Sequence, residues 1–311
     1  MKIAHISDLH FTTFFRKNNL EKIEYLLKYA LRYNFDHLVI SGDLTHNADH
    51  EDFEILRNLF RKLGLFSSER LSLVIGNHDI FGGPQTAEDV FLFPEKCKLI
   101  NYDKKIKEFG DYFSEAFSYC SDINEENYFP YIKKFHDVLI IGLNSIAEYS
   151  KINNPFASNG KIHKDDYNFL ATKLEKYYID SAKKLIIIHH HFNKIKVVKN
   201  SSVSSFWQNI EKQTMKLKKK KKLFQLFNLY KVDLVLHGHI HESNEYFRKG
   251  IRFLNAGASV LGAVPDELNV NFVNVKNSGI DTEIHKINYN NIFITEIKHK
   301  EAETKLFSII K

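Results

Sequence analysis

Cysteine is scarce in this chain of 311 residues: only Cys97 and Cys120 occur, too far apart for a Cys-x-x-Cys motif. That argues against a disulfide scaffold or a thiolate metal site and leaves buried or incidental thiols. Long apolar runs are missing as well. The opening Met1-Lys2-Ile3-Ala4-His5-Ile6-Ser7-Asp8 reaches a charged residue too soon for a signal-peptide core, and no later stretch nears the length of a membrane span. The expectation is a cytoplasmic protein. No internal repeat is present, and the net formal charge of +6 is modest for the length.

The bulk composition is that of a soluble globular protein. A hydrophobic content of 43% and a charged content of 26% give no indication of disorder. The length allows one extended α/β domain as readily as two small ones.

Five short blocks of metal-binding residue types stand out: Asp8-Leu9-His10, Gly42-Asp43, Gly76-Asn77-His78-Asp79, His189-His190-His191 and Gly238-His239-Ile240-His241. Each follows an apolar run that reads as a buried strand: Ile3 to Ser7, Leu38 to Ser41, Leu71 to Ile75, Leu185 to Ile188 and Leu234 to Leu236. Helical spacing separates the first three runs, with Leu20 to Leu31 and about Asp49 to Leu63 as the helices. The opening is therefore βαβαβ, whose parallel strands aim their terminal residues at one edge. Carboxylates, amides and imidazoles gathered there converge on a cluster of divalent ions.

In order and spacing the blocks resemble the calcineurin-like metallophosphoesterase superfamily, whose pattern runs Asp-x-His, Gly-Asp, Gly-Asn-His-Asp/Glu, His, Gly-His-x-His. The resemblance covers roughly the first 260 residues. It implies an α/β fold, a four-layer α/β/β/α sandwich of two mixed sheets flanked by helices. It also implies hydrolysis of a phosphate mono- or diester by a metal-bridging hydroxide at a dinuclear site. Carried onto matching positions, it makes Asp8, His10, Asp43 and His241 ligands of one metal, and Asp43, Asn77, His189 and His239 ligands of the other. His78 resembles the catalytic histidine, and Asp79 is expected to orient and charge-stabilise its imidazole. The opening Ile-Ser-Asp-Leu-His-Phe, the Gly-Asn-His-Asp block and the His-rich fourth block most resemble cyclic-nucleotide phosphodiesterase-like members.

The charge balance agrees with an anionic substrate. Two divalent ions bring +4 and two aspartates bring −2, leaving about +2 for hydroxide and a phosphoryl group. Mixed oxygen and nitrogen ligands suit two divalent or trivalent ions among Mn, Fe, Zn and Co. The expected partner is a phosphorylated small molecule or a nucleotide.

Each residue also has a plainer reading. Asp8 and Asp43 taken singly would be helix N-caps, and His239 and His241 a structural pair. In the triple histidine, strand alternation places His189 and His191 on one side and His190 on the other. His189 ends the strand directly and is the chosen ligand; His191 is its rival, and His190 is a candidate for substrate contact. His237 and His5 read as packed core residues, and His46 as lining the pocket near Asp43.

Between the blocks, Phe81 to Phe135 reads as a long excursion with short helices that shapes substrate access, its aromatics mostly packing locally. Val138 to Leu143 resumes a strand, and Asp165 to Tyr178 reads as a helix. Ile251 to Leu254, Val270 to Val275 and Thr282 to Ile287 read as strands suited to a second sheet. One phosphoesterase domain is thus expected over 1–287, with an extension of uncertain structure over 288–311.

Lys216 and the run Lys218 to Lys222 read as the lysine-rich first half of a surface helix continued by Leu223, Phe224, Leu226 and Phe227. The alternative is a polyanion grip, which makes a nuclease or a phospholipid head-group hydrolase a second hypothesis. A non-catalytic metal-binding scaffold is a third, against which the complete ligand set argues.

Overall fold

The computed structural model describes residues 1–14, 18–178, 182–193, 215–262 and 264–290. The expectation for most of the C-terminal extension, 291–311, lies outside the described residues.

The chain opens with β1 (Lys2–Ile6), α1 (Asn19–Leu31), β2 (His37–Ile40), α2 (His50–Lys62) and β3 (Leu71–Leu73). The three strands pair in parallel. In α1, Ile23, Leu26, Leu27 and Ala30 form one buried stripe at helical spacing. At the start of α2 the Asp49 carboxylate accepts from the Glu51 N–H, with Glu51 and Asp52 in the first turn and Arg61 and Lys62 in the last. This is the capping and charge order that the helix dipole favours.

Then come α3 (His78–Phe81), α4 (Ala87–Lys98), α5 (Tyr102–Tyr112), α6 (Ser114–Phe117), β4 (Asp122–Ile123) and β5 (Tyr131–Phe135). The excursion is helical as expected, and Phe109, Phe113, Phe117 and Phe129 are buried in the core. Its last residues differ from expectation. β5 turns back against β6 (Val138–Leu143) as an antiparallel hairpin. Two lysines hid this strand in the sequence, and one of them, Lys133, is fully buried. Its ammonium donates to the Ser68 and Leu71 carbonyls, while the Tyr131 hydroxyl donates to the Leu73 carbonyl at 3.0 Å. Both side chains fasten the second sheet to the end of the first.

After β6 come α7 (Lys164–Lys176), β7 (Lys183–Ile188), α8 (Lys220–Leu229), β8 (Leu234–His237), β9 (Asn244–Arg248) and β10 (Ile251–Asn255). The second sheet has the order β4-β5-β6-β7-β8-β10-β9, with β6, β7, β8 and β10 parallel. Alternation divides its faces. Val138, Ile140, Leu185, Ile187, Leu234 and Leu236 join the core shared with the first sheet, whereas Leu139, Ile141, Ile186 and Ile188 pack with Leu170, Leu174, Leu223 and Phe227 of α7 and α8. Each such aliphatic side chain stabilises the fold by about 1.5–3 kcal/mol relative to exposure. The result is the α/β/β/α sandwich of two mixed sheets.

The C-terminal strands do not build the second sheet together. Of the three strands expected there, only β10 lies in it, beside β9. β11 (Glu267–Lys276) pairs antiparallel with β1, and β12 (Gly279–Asn288) with β11, completing the order β12-β11-β1-β2-β3. The N-terminal ammonium donates to the Val275 carbonyl at 3.0 Å, so both ends of the domain meet in the first sheet. Among the described residues no helix is long and apolar enough to cross a membrane.

Candidate metal centre

The loops after β1, β2, β3, β7 and β8 all leave the carboxyl edges of parallel strands, and the two sheets bring those edges face to face. Two sets of side chains gather there: Asp8, His10 and His241, and Asp43, His189 and His239, with the candidate ligand atoms of each set within 4.8 Å of one another. The His189 Nε2 stands 3.3 Å from the Asp43 Oδ2 and 3.2 Å from the Asn77 Oδ1. Asp43 joins the sets, because the same Oδ2 lies 3.8 Å from the His10 Nε2. Every residue expected as a ligand is therefore in one cluster.

The backbone is bent to achieve this. Asp8, His10, Asp43 and His239 all have left-handed φ angles, 52°, 44°, 52° and 71°. Such values are rare outside glycine and mark functional sites where surrounding contacts hold the strain. Asp8 is held by the His239 N–H, which reaches both carboxylate oxygens at 3.2 and 2.9 Å, and Asp43 accepts from the His78 N–H at 2.8 Å. Neither aspartate caps a helix; Asp49 does that for α2. A Cβ on Gly76 would fall 2.1 Å from the Asp43 Oδ1, and one on Gly238 would fall 2.4 Å from the Asp8 Oδ2. The glycines of the blocks let backbone and carboxylate approach.

Do these residues fit metal ions? Donors bonded to an ion at 2.0–2.1 Å sit about 3.0–3.4 Å apart. The observed spacings include 3.2 Å between the His10 and His241 Nε2 atoms and 3.1 Å between the His239 Nδ1 and His189 Nε2. Nitrogen lone pairs do not approach one another this way without a cation or proton between them. The electrostatics say the same. Burial opposes a charge on Asp43, yet His189 and His78 hold its carboxyl well below the usual range. Burial also opposes a proton on His189, but Asp43 raises it to about 9. Burial leaves His10 and His239 neutral, which is the ligating form.

The triple histidine divides cleanly. The His189 Nδ1–H donates to the Ser41 carbonyl at 2.8 Å and leaves Nε2 facing the cluster. His190, a candidate for substrate contact, is instead buried, with Nδ1 on the Ser145 hydroxyl and Nε2 on the Ser158 carbonyl. The His191 Nε2–H is committed to the Met215 carbonyl at 2.8 Å, while its ring stacks near that of His239, centroids 6.2 Å apart. β7 ends at Ile188, and strand alternation no longer governs these three. His237 bonds the Tyr246 hydroxyl and His5 the Ser41 hydroxyl, both as core residues.

Asp79 occupies a different position from that expected. Its carboxylate accepts from the Thr45 and Gly76 N–H groups, each at 2.9 Å, bracing the loops after β2 and β3. Burial and nearby Asp43 raise it to about 7. The His78 ring is positioned instead by the carbonyl of His46, to which its Nδ1–H donates at 3.1 Å. Sequence reasoning gave His46 only a lining role. Its ring centroid is 4.9 Å from that of His78 and 5.8 Å from that of His10, and its place three residues after Asp43 was the available signal.

Residues 1–243 match the profile of the calcineurin-like phosphoesterase family. The chain belongs to that family. A probable cyclic nucleotide phosphodiesterase from Ruthia magnifica subsp. Calyptogena magnifica is 25% identical over 244 residues, covering 78% of this chain and 76% of the relative. Among solved structures, a dimetal phosphatase from Danio rerio superposes with a TM-score of 0.55 at 12% identity, covering 93% of this chain and 99% of that one. A purple acid phosphatase from yellow lupin seeds gives 0.57 at 12% identity, covering 92% of this chain and 51% of the plant enzyme. At those identities the likeness is one of fold. Membership of this family supports a hydrolase acting on phosphoester bonds, and the family generally uses a dinuclear metal centre.

Proposed function

We propose that this phosphoesterase hydrolyses phosphate mono- or diesters, with Asp8, His10, Asp43 and His241 holding one metal ion and Asp43, Asn77, His189 and His239 the other. The observation that carries the reading is Asp43, one buried carboxylate within reach of both ligand sets. Two ions bound there would supply Lewis acidity for the phosphoryl group and lower the pKa of water. Manganese, iron, zinc and cobalt all suit this donor set.

The chain's own residues do the rest. Asp8 and Asp43 are buried carboxylates at the base of the site, whereas His241 lies exposed at its rim. His78 stands beside His10, ring centroids 4.5 Å apart, with its Nδ1–H bound to the His46 carbonyl. With Nδ1 so engaged, Nε2 is the ring atom left for the substrate, and His78 in this reading donates a proton to the leaving oxygen or stabilises phosphoryl oxygens. The relative named as a probable cyclic nucleotide phosphodiesterase supports a phosphodiester, and a cyclic nucleotide is the first substrate to try.

The test is a panel of phosphomonoesters, simple diesters, cyclic nucleotides and single-stranded nucleic acid, offered to metal-stripped protein reloaded with each ion. Turnover of one class with at least one metal supports the reading. Inactivity on every compound with every ion would replace the hydrolase with a metal-binding scaffold.

A further inference from the structure

Only part of the lysine run is helical: Lys220, Lys221 and Lys222 open α8, whereas Lys216, Lys218 and Lys219 precede it. Leu217 bridges Gly160, and α8 begins only at Lys220. The Gly160 N–H donates to the Lys216 carbonyl at 2.9 Å and the Lys218 N–H to the Gly160 carbonyl at 2.7 Å. This short ladder brings the run against the entry to α7. There Lys161, Lys164, Lys218, Lys219 and Lys222, with Tyr167, line a cavity of about 340 Å³.

We propose that this cavity binds a compact, multiply phosphorylated anion, at a site separate from the metal centre. Five lysines from two distant stretches line it, and among the described residues none of their ammonium groups lies within ion-pair distance of a carboxylate. The Lys218 ammonium is held by the Asn153 carbonyl at 2.7 Å, and that of Lys222 lies 6.0 Å from the Tyr167 ring centre. Asp165 and Asp166 follow Lys164 along α7 but do not line the cavity. A single phosphate would leave about three positive charges uncompensated, whereas a triphosphate matches all five.

The placement of the helices supports the same ligand. α7 connects β6 to β7 and α8 connects β7 to β8, so both begin at the carboxyl edge of parallel strands, where anions bind in such folds. α8 has no side-chain cap and no acid in its first turn, which holds Lys220, Lys221 and Lys222 instead. Lysines there oppose the helix dipole. Lys219 also adopts a left-handed φ of 56°. An anion in the cavity offsets these unfavourable terms at once. The volume is at the lower end for small-ligand sites, which suits a compact ligand.

Inorganic tripolyphosphate is the probe, titrated calorimetrically into the full chain at 150 mM salt with chelator present, and again into the Asp43→Asn variant. Neither arm depends on catalysis, so the site stands or falls independently of the hydrolase reading. The expected result is one equivalent bound in both proteins. Lys161→Gln/Lys164→Gln and Lys219→Gln/Lys222→Gln each weaken binding tenfold or more, while Lys104→Gln/Lys107→Gln on α5 changes it less than twofold. Circular dichroism confirms that each variant folds. Absence of binding, or equal weakening by the α5 pair, overturns the proposal. So does tighter capture of a twelve-nucleotide single strand or of anionic vesicles through the same lysines, which would make the site one for a macromolecule.

Discussion

His189 donates its Nδ1–H to the Ser41 carbonyl across 2.8 Å, and this bond ties the carboxyl end of β7 to that of β2. In the neutral form that would bind a metal, the imidazole carries one proton. With that proton committed to Ser41, Nε2 keeps its lone pair facing Asn77 and Asp43. The same contact that joins the two sheets therefore sets the tautomer of a proposed metal ligand. His189→Ala is expected to lose one equivalent of bound metal by elemental analysis, whereas His191→Ala keeps both. The reverse pattern would make His191 the ligand.

Metal and proton compete for His189. Its folded-state pKa is raised to about 9, so at neutral pH the metal-free protein holds a proton that an incoming ion must displace. Apparent affinity for a divalent ion should rise with pH, by up to tenfold per unit between 7 and 9, and level off above. Calorimetry in buffers of different ionisation enthalpy should detect proton release on binding. An affinity independent of pH over that range would contradict the assignment.

Asp43→Asn removes the carboxylate shared by both ligand sets while keeping its shape. Turnover on whichever ester proves active should fall by roughly 10³-fold or more, about 4 kcal/mol in the barrier. The far-ultraviolet circular dichroism should stay unchanged. A loss below tenfold would remove Asp43 from the centre of the chemistry.

Gly76 and Gly64 give a paired comparison. An alanine at Gly76 places its Cβ 2.1 Å from the Asp43 Oδ1 and 2.2 Å from the Asp43 backbone nitrogen, so Asp43 must move and metal content should fall. Gly64 has a left-handed φ of 67° with open space around it. Gly64→Ala should therefore cost about 1–2 kcal/mol in denaturant unfolding and leave activity intact. Equal activity in the two variants would show that Gly76 is not needed for the approach to Asp43.

Acid should unfold this protein through buried histidines outside the two ligand sets. Burial lowers His5, His37 and His237 to about 3, against 6.5 for a free imidazole. Between those values the unfolded chain binds more protons than the folded one, so stability falls as pH drops from 6.5 toward 3. Their ring resonances should keep neutral positions until the unfolding transition. Titration of all three near 6.5 in the folded state would refute this.

The gathering of the candidate ligands was legible because each block sits where a buried strand ends, and one edge collects what the strand ends carry. Local pattern also located α1, α2, α7 and β6 to within a residue or two. What escaped was set by contacts distant in sequence. β5 hides behind Lys133, whose charge is satisfied only by carbonyls of the other sheet. β11 reads as a strand, but that it flanks β1 depends on pairing Lys2 with Asn274. Asp79 follows His78 directly, yet the loops after β2 and β3 determine which groups it meets.

The pairing of β1 with β11 sets where this chain can be cut. Residues 1–243 contain every metal-binding block, but a shortened chain ending there would strip β1 of its antiparallel neighbour, baring a row of backbone donors and acceptors on apolar residues such as Ile3 and Ile6. Exposed edges of that kind recruit other chains. Such a fragment should precipitate with all its ligands present, whereas one kept through Asn288 should stay dispersed.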